Sequence, residues 1–233
     1  MRPVILILLL FSLSVVRAQD NIISYTAKDV NQIQLYWKDN AGKLLSSFQN
    51  LKDFLVSKKQ QLIFAMNGGM FNKDMGPVGL FIEKGKVLKS INKVSGGGGN
   101  FGMKPNGVFY ITNDNKAFIC KTEDFTNTGK IKYATQSGPM LVINDSIHAA
   151  FNKNSINTNI RNGVGILPDG SVLFAISSGE ITFYDFALFF KKSGCRNALY
   201  LDGAISQMYC PEKRLSSAGG SFGVIIGVTT SKK

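Results

Sequence analysis

Four stretches of this chain set a polar or charged side chain against the end of an apolar run, where loops leave a sheet edge and sites are commonly built. In Ala198-Leu-Tyr-Leu-Asp-Gly-Ala-Ile-Ser206 the run delivers Asp202 into a turn begun by Gly203, with Ser206 beyond. A carboxylate held at the rim of a core suits acid-base or nucleophilic work, and Asp202 is the first choice for a catalytic acid; a structural Asx turn is the competing use of an Asp-Gly pair. In Asn159-Ile-Arg-Asn-Gly-Val-Gly165 the guanidinium of Arg161 precedes an apolar run. It can hold a phosphate or carboxylate through two parallel hydrogen bonds, or serve a structural salt bridge. In Leu62-Ile-Phe-Ala-Met-Asn-Gly-Gly-Met-Phe71, Asn67 leaves the run with Gly68 and Gly69 free for unusual backbone angles, so that their amides approach a ligand; a plain glycine turn is the alternative. Gln136-Ser-Gly-Pro139 adds the Ser137 hydroxyl and the open backbone of Gly138, and Lys104 in Lys104-Pro-Asn-Gly107 adds positive charge at the same rim.

Other chemistries find little support. The three cysteines, Cys120, Cys195 and Cys210, match no zinc spacing and allow at most one bridge, with Cys195–Cys210 as the candidate pair. The one histidine, His148, follows a turn signal and reads as a surface residue, so a Ser-His-Asp triad would have to pass through it alone. The run at residues 95–99 lacks the Gly-Lys-Ser/Thr ending of a nucleotide-binding loop and reads as a mobile loop, with a lid as the minor alternative. No metal site and no cofactor are expected, although carboxylate-bound calcium stays open.

The elements that must position these groups are short. Apolar runs at residues 33–37, 78–82, 108–112, 140–143, 164–167 and 172–176 each sit beside turn residues, which signals hairpins, and residues 223–228 supply a closing strand. Two segments have helical spacing instead. Ser46 or Ser47 caps one with Phe48, Leu51 and Leu55 on a single face. Thr182 and Asp185 form a capping-box pattern at the start of a segment whose Phe183, Phe186, Ala187 and Phe190 fall on one face, and Gly194 marks the end. The expected fold is a single α+β domain, a largely antiparallel or mixed sheet with helices packed against it.

Composition bounds the rest. With 233 residues, 44% of them hydrophobic, the chain can bury a core of ordinary size, which excludes a disordered tail or a disulfide-stapled peptide. Arg2, the apolar run at residues 4–16 and the small residues Val16 and Ala18 read as a signal peptide over residues 1–18, leaving a domain at 19–233. That run is too short to span a bilayer, so no stable membrane insertion is expected after cleavage, and the protein is periplasmic or secreted. Cleavage removes Arg2 and Arg17 and no acid, so the net charge falls from +12 to +10. An exported cation of this kind points to sugar phosphates, envelope polymers or lipid head groups, and away from nucleic acid.

Taken in order, six stretches resemble the phosphodiester glycosidase family. They are Phe64-Ala-Met-Asn-Gly-Gly-Met-Phe71, Gly99-Asn-Phe-Gly-Met-Lys-Pro-Asn-Gly107, Gln136-Ser-Gly-Pro-Met-Leu141, Ile160-Arg-Asn-Gly-Val-Gly165, Phe183-Tyr-Asp-Phe-Ala187 and Leu201-Asp-Gly-Ala-Ile-Ser206. Many members carry a second glycine where this chain has Ala204. The resemblance implies hydrolysis of the bond between a sugar's anomeric carbon and a phosphodiester, releasing sugar and a phosphomonoester. For such chemistry the catalytic candidates are Asp202, as base toward water or nucleophile, Arg161, which with Lys104 binds the phosphate, and Asp185, as a second carboxylate or simply a helix cap, with Asn67, Gly68, Gly69, Asn106, Ser137, Gly138, Asn162, Gly203 and Ser206 at the substrate. The competing function is a module that binds anionic or phosphate-bearing glycans without cutting them; a serine-type peptidase or esterase stands third.

Overall fold

Short apolar runs bounded by turn residues give the strands, and the central ones, such as residues 172–177 and 198–200, are buried at every position, so both of their faces are covered. The computed structural model describes residues 21–94, 99–202 and 205–231. The signal-peptide segment 1–18, residues 95–98 of the glycine-rich run, and Gly203 and Ala204 lie outside them. In chain order the strands are β1 (Ile22–Ala27), β2 (Ile33–Tyr36), β3 (Gln60–Asn67), β4 (Phe81–Glu83), β5 (Lys86–Lys89), β6 (Gly107–Thr112), β7 (Ala117–Lys121) and β8 (Ile131–Ser137). They continue with β9 (Met140–Ile143), β10 (Ser146–Ile147), β11 (Asn162–Ile166), β12 (Val172–Ser177), β13 (Ala198–Tyr200), β14 (Met208–Tyr209) and β15 (Ile225–Ser231). The α-helices are α1 (Phe48–Ser57), α2 (Gly99–Gly102) and α3 (Phe183–Lys192).

The strands form three sheets, in the orders β1-β12-β11-β13-β9-β10, β14-β3-β15-β2 and β5-β4-β8-β6-β7, and the described pairings are all antiparallel. The expected α+β domain is therefore built on three sheets. Their inner faces meet in one core that includes Phe64, Met66, Phe81, Phe109, Phe174, Leu199 and Ile226. Phe64 stacks between Tyr25 and Phe174, at centroid distances of 4.5 and 4.9 Å, which binds two sheets together through aromatic contact. The outer faces are covered separately. Helix α3 covers the first sheet through Phe186, Ala187 and Phe190, and α1 covers the second through Phe48, Leu51 and Leu55.

Both helices begin as expected. The Ser47 hydroxyl accepts from the Asn50 amide, and the Thr182 hydroxyl accepts from the Asp185 amide, each satisfying one of the otherwise unpaired amides of a first turn. Hairpins close at Lys84-Gly85, Asn113–Asn115, Asn144-Asp145 and Pro168–Gly170. The signal after residues 33–37 gives no hairpin. There a bridge from Lys38 to Leu44 closes a small turn that feeds α1, and β2 pairs instead with the distant β15.

Candidate active site

Strand register builds the site. Gly163 pairs with Tyr200, Val164 with Leu199 and Gly165 with Ala198, and extending that antiparallel register by two residues sets Arg161 opposite Asp202. The Leu201 amide donates to the Asn162 carbonyl at 3.2 Å, so the pairing does run on past the strand ends. Facing side chains, and those two residues along, share one face of a sheet, so Arg161, Asp202 and Tyr200 belong to one cluster. Helix α3 packs on that same face.

Arg161 is fully buried, at 0% exposure. Its ζ carbon lies 3.6 Å from the centre of the Phe183 ring and 5.8 Å from that of Tyr200. Nε donates to the Ile181 carbonyl at 2.8 Å, and Nη2 lies 3.2 Å from both the carbonyl and the side-chain oxygen of Asn157. The salt bridges among the described residues, Lys116–Asp114 and Arg196–Asp145, are exposed and do not include it. Burial lowers its pKa, and the neighbouring Tyr200 opposes that shift.

Asp202 is buried, and a frame of amides fixes the backbone around it. Its amide donates to Asn162 Oδ1 at 2.9 Å, and its carbonyl accepts from the Ser206 hydroxyl at 2.6 Å and from Asn67 Nδ2 at 3.4 Å. Asn162 Nδ2 donates to the Asn67 carbonyl and to Asn67 Oδ1, which also accepts from the Gln207 amide. The side chains of Asn67 and Asn162 are thus engaged with protein and hold the backbone at Asp202. Ser137 belongs to the same frame, its hydroxyl donating to the Leu201 carbonyl.

Gly68 and Gly69 differ from expectation. Neither has left-handed backbone, and the Gly68 amide donates to the Val224 carbonyl, not outward to a ligand. Close packing requires them instead: a Cβ at Gly68 would lie 2.6 Å from Ile226 Cγ1, and one at Gly69 would lie 2.6 Å from Thr135 Oγ1. At the other rim, Lys104 Nζ donates to Asn106 Oδ1 at 3.1 Å, and Asn106 Nδ2 donates to the Phe101 carbonyl at 3.2 Å. Gly138 admits Asn106, whose Cβ lies 2.4 Å from where a Cβ on Gly138 would stand. These contacts hold α2 beside Asp202. Between them opens a cavity of about 590 Å³, lined by Asp202, Asn92 and Asn100 and by apolar groups such as Met70, Phe101 and Ile205.

A family model described as phosphodiester glycosidase matches residues 60–227, which takes in all of these loops. The chain belongs to the phosphodiester glycosidase family. It is 36% identical over 219 residues to the uncharacterized protein YigE of Escherichia coli (strain K12), covering 90% of this chain and 85% of that one. Among solved structures it resembles the catalytic domain of zebrafish N-acetylglucosamine-1-phosphodiester alpha-N-acetylglucosaminidase, auto-inhibited by its pro-peptide. That match has a TM-score of 0.61 at 14% identity and covers 89% of this chain and 82% of the other. A Burkholderia pseudomallei K96243 protein described as exported matches with a TM-score of 0.53 at 11% identity, over 89% of this chain and 73% of that one.

Within this family fold, the remaining candidates take other places. Asp185 Oδ2 accepts from the Thr182 hydroxyl at 2.8 Å and so belongs to the cap of α3, two residues along from Phe183, whose ring lies against Arg161. Gly203 lies outside the described residues. His148 is not a surface residue: it is 4% exposed, Nδ1 accepts from the Ala150 amide, and Nε2 contacts the Lys104 carbonyl at 3.0 Å. With both ring nitrogens held by backbone, it is poorly placed to serve as a base for a serine. The Cys195–Cys210 bridge does not form. Both thiols are free, and they sit in separate clusters, Cys195 beneath α3 and Cys210 in the central core. Among the described residues no group of three or more His, Cys, Asp or Glu side chains comes together.

Sequence reasoning passed over Tyr200 and Asn100. Period-two counting back from Asp202 finds Tyr200 on its face, whereas Asn100 had no periodic signal and reaches the site only through the fold. Phe183 read as one more apolar position of α3, although it is the ring on which Arg161 lies.

Proposed function

We propose that the chain is an exported hydrolase that cuts the bond between a sugar's anomeric carbon and a phosphodiester. The family supplies the reaction class. The observation that carries the residue assignment is the register that faces Arg161 with Asp202 at the ends of β11 and β13. In this reading Asp202 works at the anomeric carbon, as base toward water or as nucleophile. The carbon–oxygen bond breaks and its electron pair leaves with the phosphate oxygen. Water supplies the hydroxyl of the freed sugar and the proton that ends on the phosphomonoester.

The leaving group is already a weak base, with a second pKa of about 6, so stabilising its charge matters more than protonating it. Arg161 meets that need by position. Two of its nitrogens are engaged by carbonyls, so it contributes a fixed positive charge in a water-poor setting and not an open two-pronged clamp. Lys104 adds charge at the rim, while Asn67, Asn162 and Ser206 hold the Asp202 turn. Asp185 serves α3 as a cap and through it the seat of Arg161. Export is supported by the signal-like residues 1–18.

The test is turnover of a sugar-nucleotide phosphodiester. Asp202→Asn is expected to abolish release of free sugar while leaving the unfolding midpoint and sugar-phosphate binding near those of the parent; near-normal turnover refutes the assignment. If the parent protein frees no sugar from several such substrates yet retains phosphate-bearing glycans in a salt-sensitive way, it is a binding module.

A further inference from the structure

A strand of an antiparallel sheet commonly turns one face to the core and the other to water, but β5 is exposed at all four of its positions. It is the edge strand of the third sheet, hydrogen-bonded to β4. The segment that contains it, residues 84–94, carries Lys84, Lys86, Lys89 and Lys93 and no acid. The salt bridges among the described residues, Lys116–Asp114 and Arg196–Asp145, include none of these ammonium groups. Glu83, just before the segment, is half-buried and stands opposite Lys86 in the hairpin register without closing an ion pair.

The same segment holds apolar side chains out in water. Val87 is 49% exposed, Leu88 46% and Val94 70%, and these are three of the seven large hydrophobic residues exposed among the described residues. Lysines on an edge strand keep it from pairing with another chain, which accounts for the charge but not for the two aliphatic side chains set between Lys86 and Lys89. A second copy of the chain laid against this edge would bring lysine against lysine. A soluble polyanion would match the lysines and leave Val87 and Leu88 in water. A bilayer with anionic head groups meets both demands: its phosphates face the ammonium groups, and its acyl boundary receives the aliphatic ones.

We propose that residues 84–94 are a peripheral docking surface for an anionic phospholipid bilayer. The surface leads straight into the candidate active site. Gln136 Oε1 accepts from the Asn92 amide at 2.9 Å and Gln136 Nε2 donates to the Asn92 carbonyl at 2.7 Å, which pins the segment to β8. Asn92 and Val94 then line the cavity beside Asp202. Lys89 and Asn92 are separated by no more than about 11 Å of extended chain, so docking brings the cavity close to the head-group layer. The surface stands on its own charge and exposure and does not depend on which reaction the cavity performs.

The experiment is cosedimentation of the full chain with vesicles of mixed phosphatidylglycerol and phosphatidylcholine, and with vesicles of phosphatidylcholine alone. Hydrogen exchange at residues 84–94 locates the contact. The parent is expected to prefer the anionic vesicles, to leave them as salt is raised from about 0.05 to 0.5 M, and to exchange more slowly in this segment when bound. A triple variant, Lys84→Gln, Lys86→Gln and Lys89→Gln, is expected to bind about a hundred-fold more weakly. Val87→Ser with Leu88→Ser is expected to bind about ten-fold more weakly. Unfolding midpoints should stay near the parent's, because every substituted side chain is exposed. Equal binding to both kinds of vesicle, or binding to neither, overturns the surface. So does anionic-vesicle binding that leaves exchange at residues 84–94 unchanged or that the triple variant retains, since another segment then makes the contact. Lysine-dependent binding that the Val87→Ser, Leu88→Ser variant keeps in full makes the segment a polyanion site and overturns the bilayer as its partner.

Discussion

Arg161 carries a full charge into a place with no measurable solvent exposure, and its planar shape explains how it stays there. One face lies on Phe183 while the edge meets the carbonyls of Ile181 and Asn157, so partial charges and a π face replace lost hydration. A lysine has neither the plane nor the fork. Arg161→Lys is therefore expected to lower stability by about 3 kcal/mol, a cost typical of leaving buried charge partners unmatched, and to cut turnover at least as severely as it cuts stability. Urea unfolding midpoints read beside kcat separate the two effects. Unchanged stability would mean that the guanidinium contacts are incidental.

At the scale of elements, the site depends on how closely α3 approaches β11. Glycines at 163 and 165 make that possible: a Cβ at Gly165 would lie 2.6 Å from Cys195 Sγ and 2.8 Å from Phe190 Cδ1. Gly165→Ala should push α3 outward and cost about 1–3 kcal/mol by overpacking. Adding Cys195→Ala removes the nearest clashing atom and should restore part of that loss in a thermal melt. If the double variant is no better than the single one, the strain lies elsewhere. The same shift of α3 displaces Phe183, so turnover in Gly165→Ala should fall further than stability alone explains.

For the whole molecule, one buried ring ties loops together and makes stability depend on pH. His148 stacks on Phe151 at 4.7 Å, Phe151 stacks on Phe183 at 4.9 Å, and Phe183 carries Arg161, so a run of planar groups joins the Lys104 loop to the face that holds Arg161. Burial lowers the His148 pKa below its ordinary 6.5, against the opposing pull of its backbone hydrogen bonds. The unfolded chain then binds more protons than the folded one just below pH 6.5. This contribution to stability is full above that pH and is lost as pH falls through it, levelling off below the folded-state pKa. Urea midpoints measured between about pH 8 and 5 should show this decline, and His148→Gln should flatten it. An identical slope in the variant would assign the effect to other groups.

How much of this was legible beforehand follows the range of the interactions. Ser47 and Thr182 capped their helices as expected, and α1 and α3 buried the faces that their spacing marked, because caps and periodicity act within a few neighbouring residues. The convergence of Asn67, Arg161 and Asp202 was anticipated only through the ordered set of six motifs. The division into three sheets, the pairing of β2 with β15 and the burial of His148 came from contacts between segments far apart in the chain, whose partners local composition does not specify. So did the roles within the site. Residue type marked Asn67, Asn162 and Ser137 as polar and near the chemistry, and only packing decided that they hold backbone, whereas Tyr200, which looked like one more core ring, was set beside the Arg161 guanidinium. A sequence states which groups a chain owns, but the partner of a buried hydrogen-bonding group is settled by the fold that closes around it.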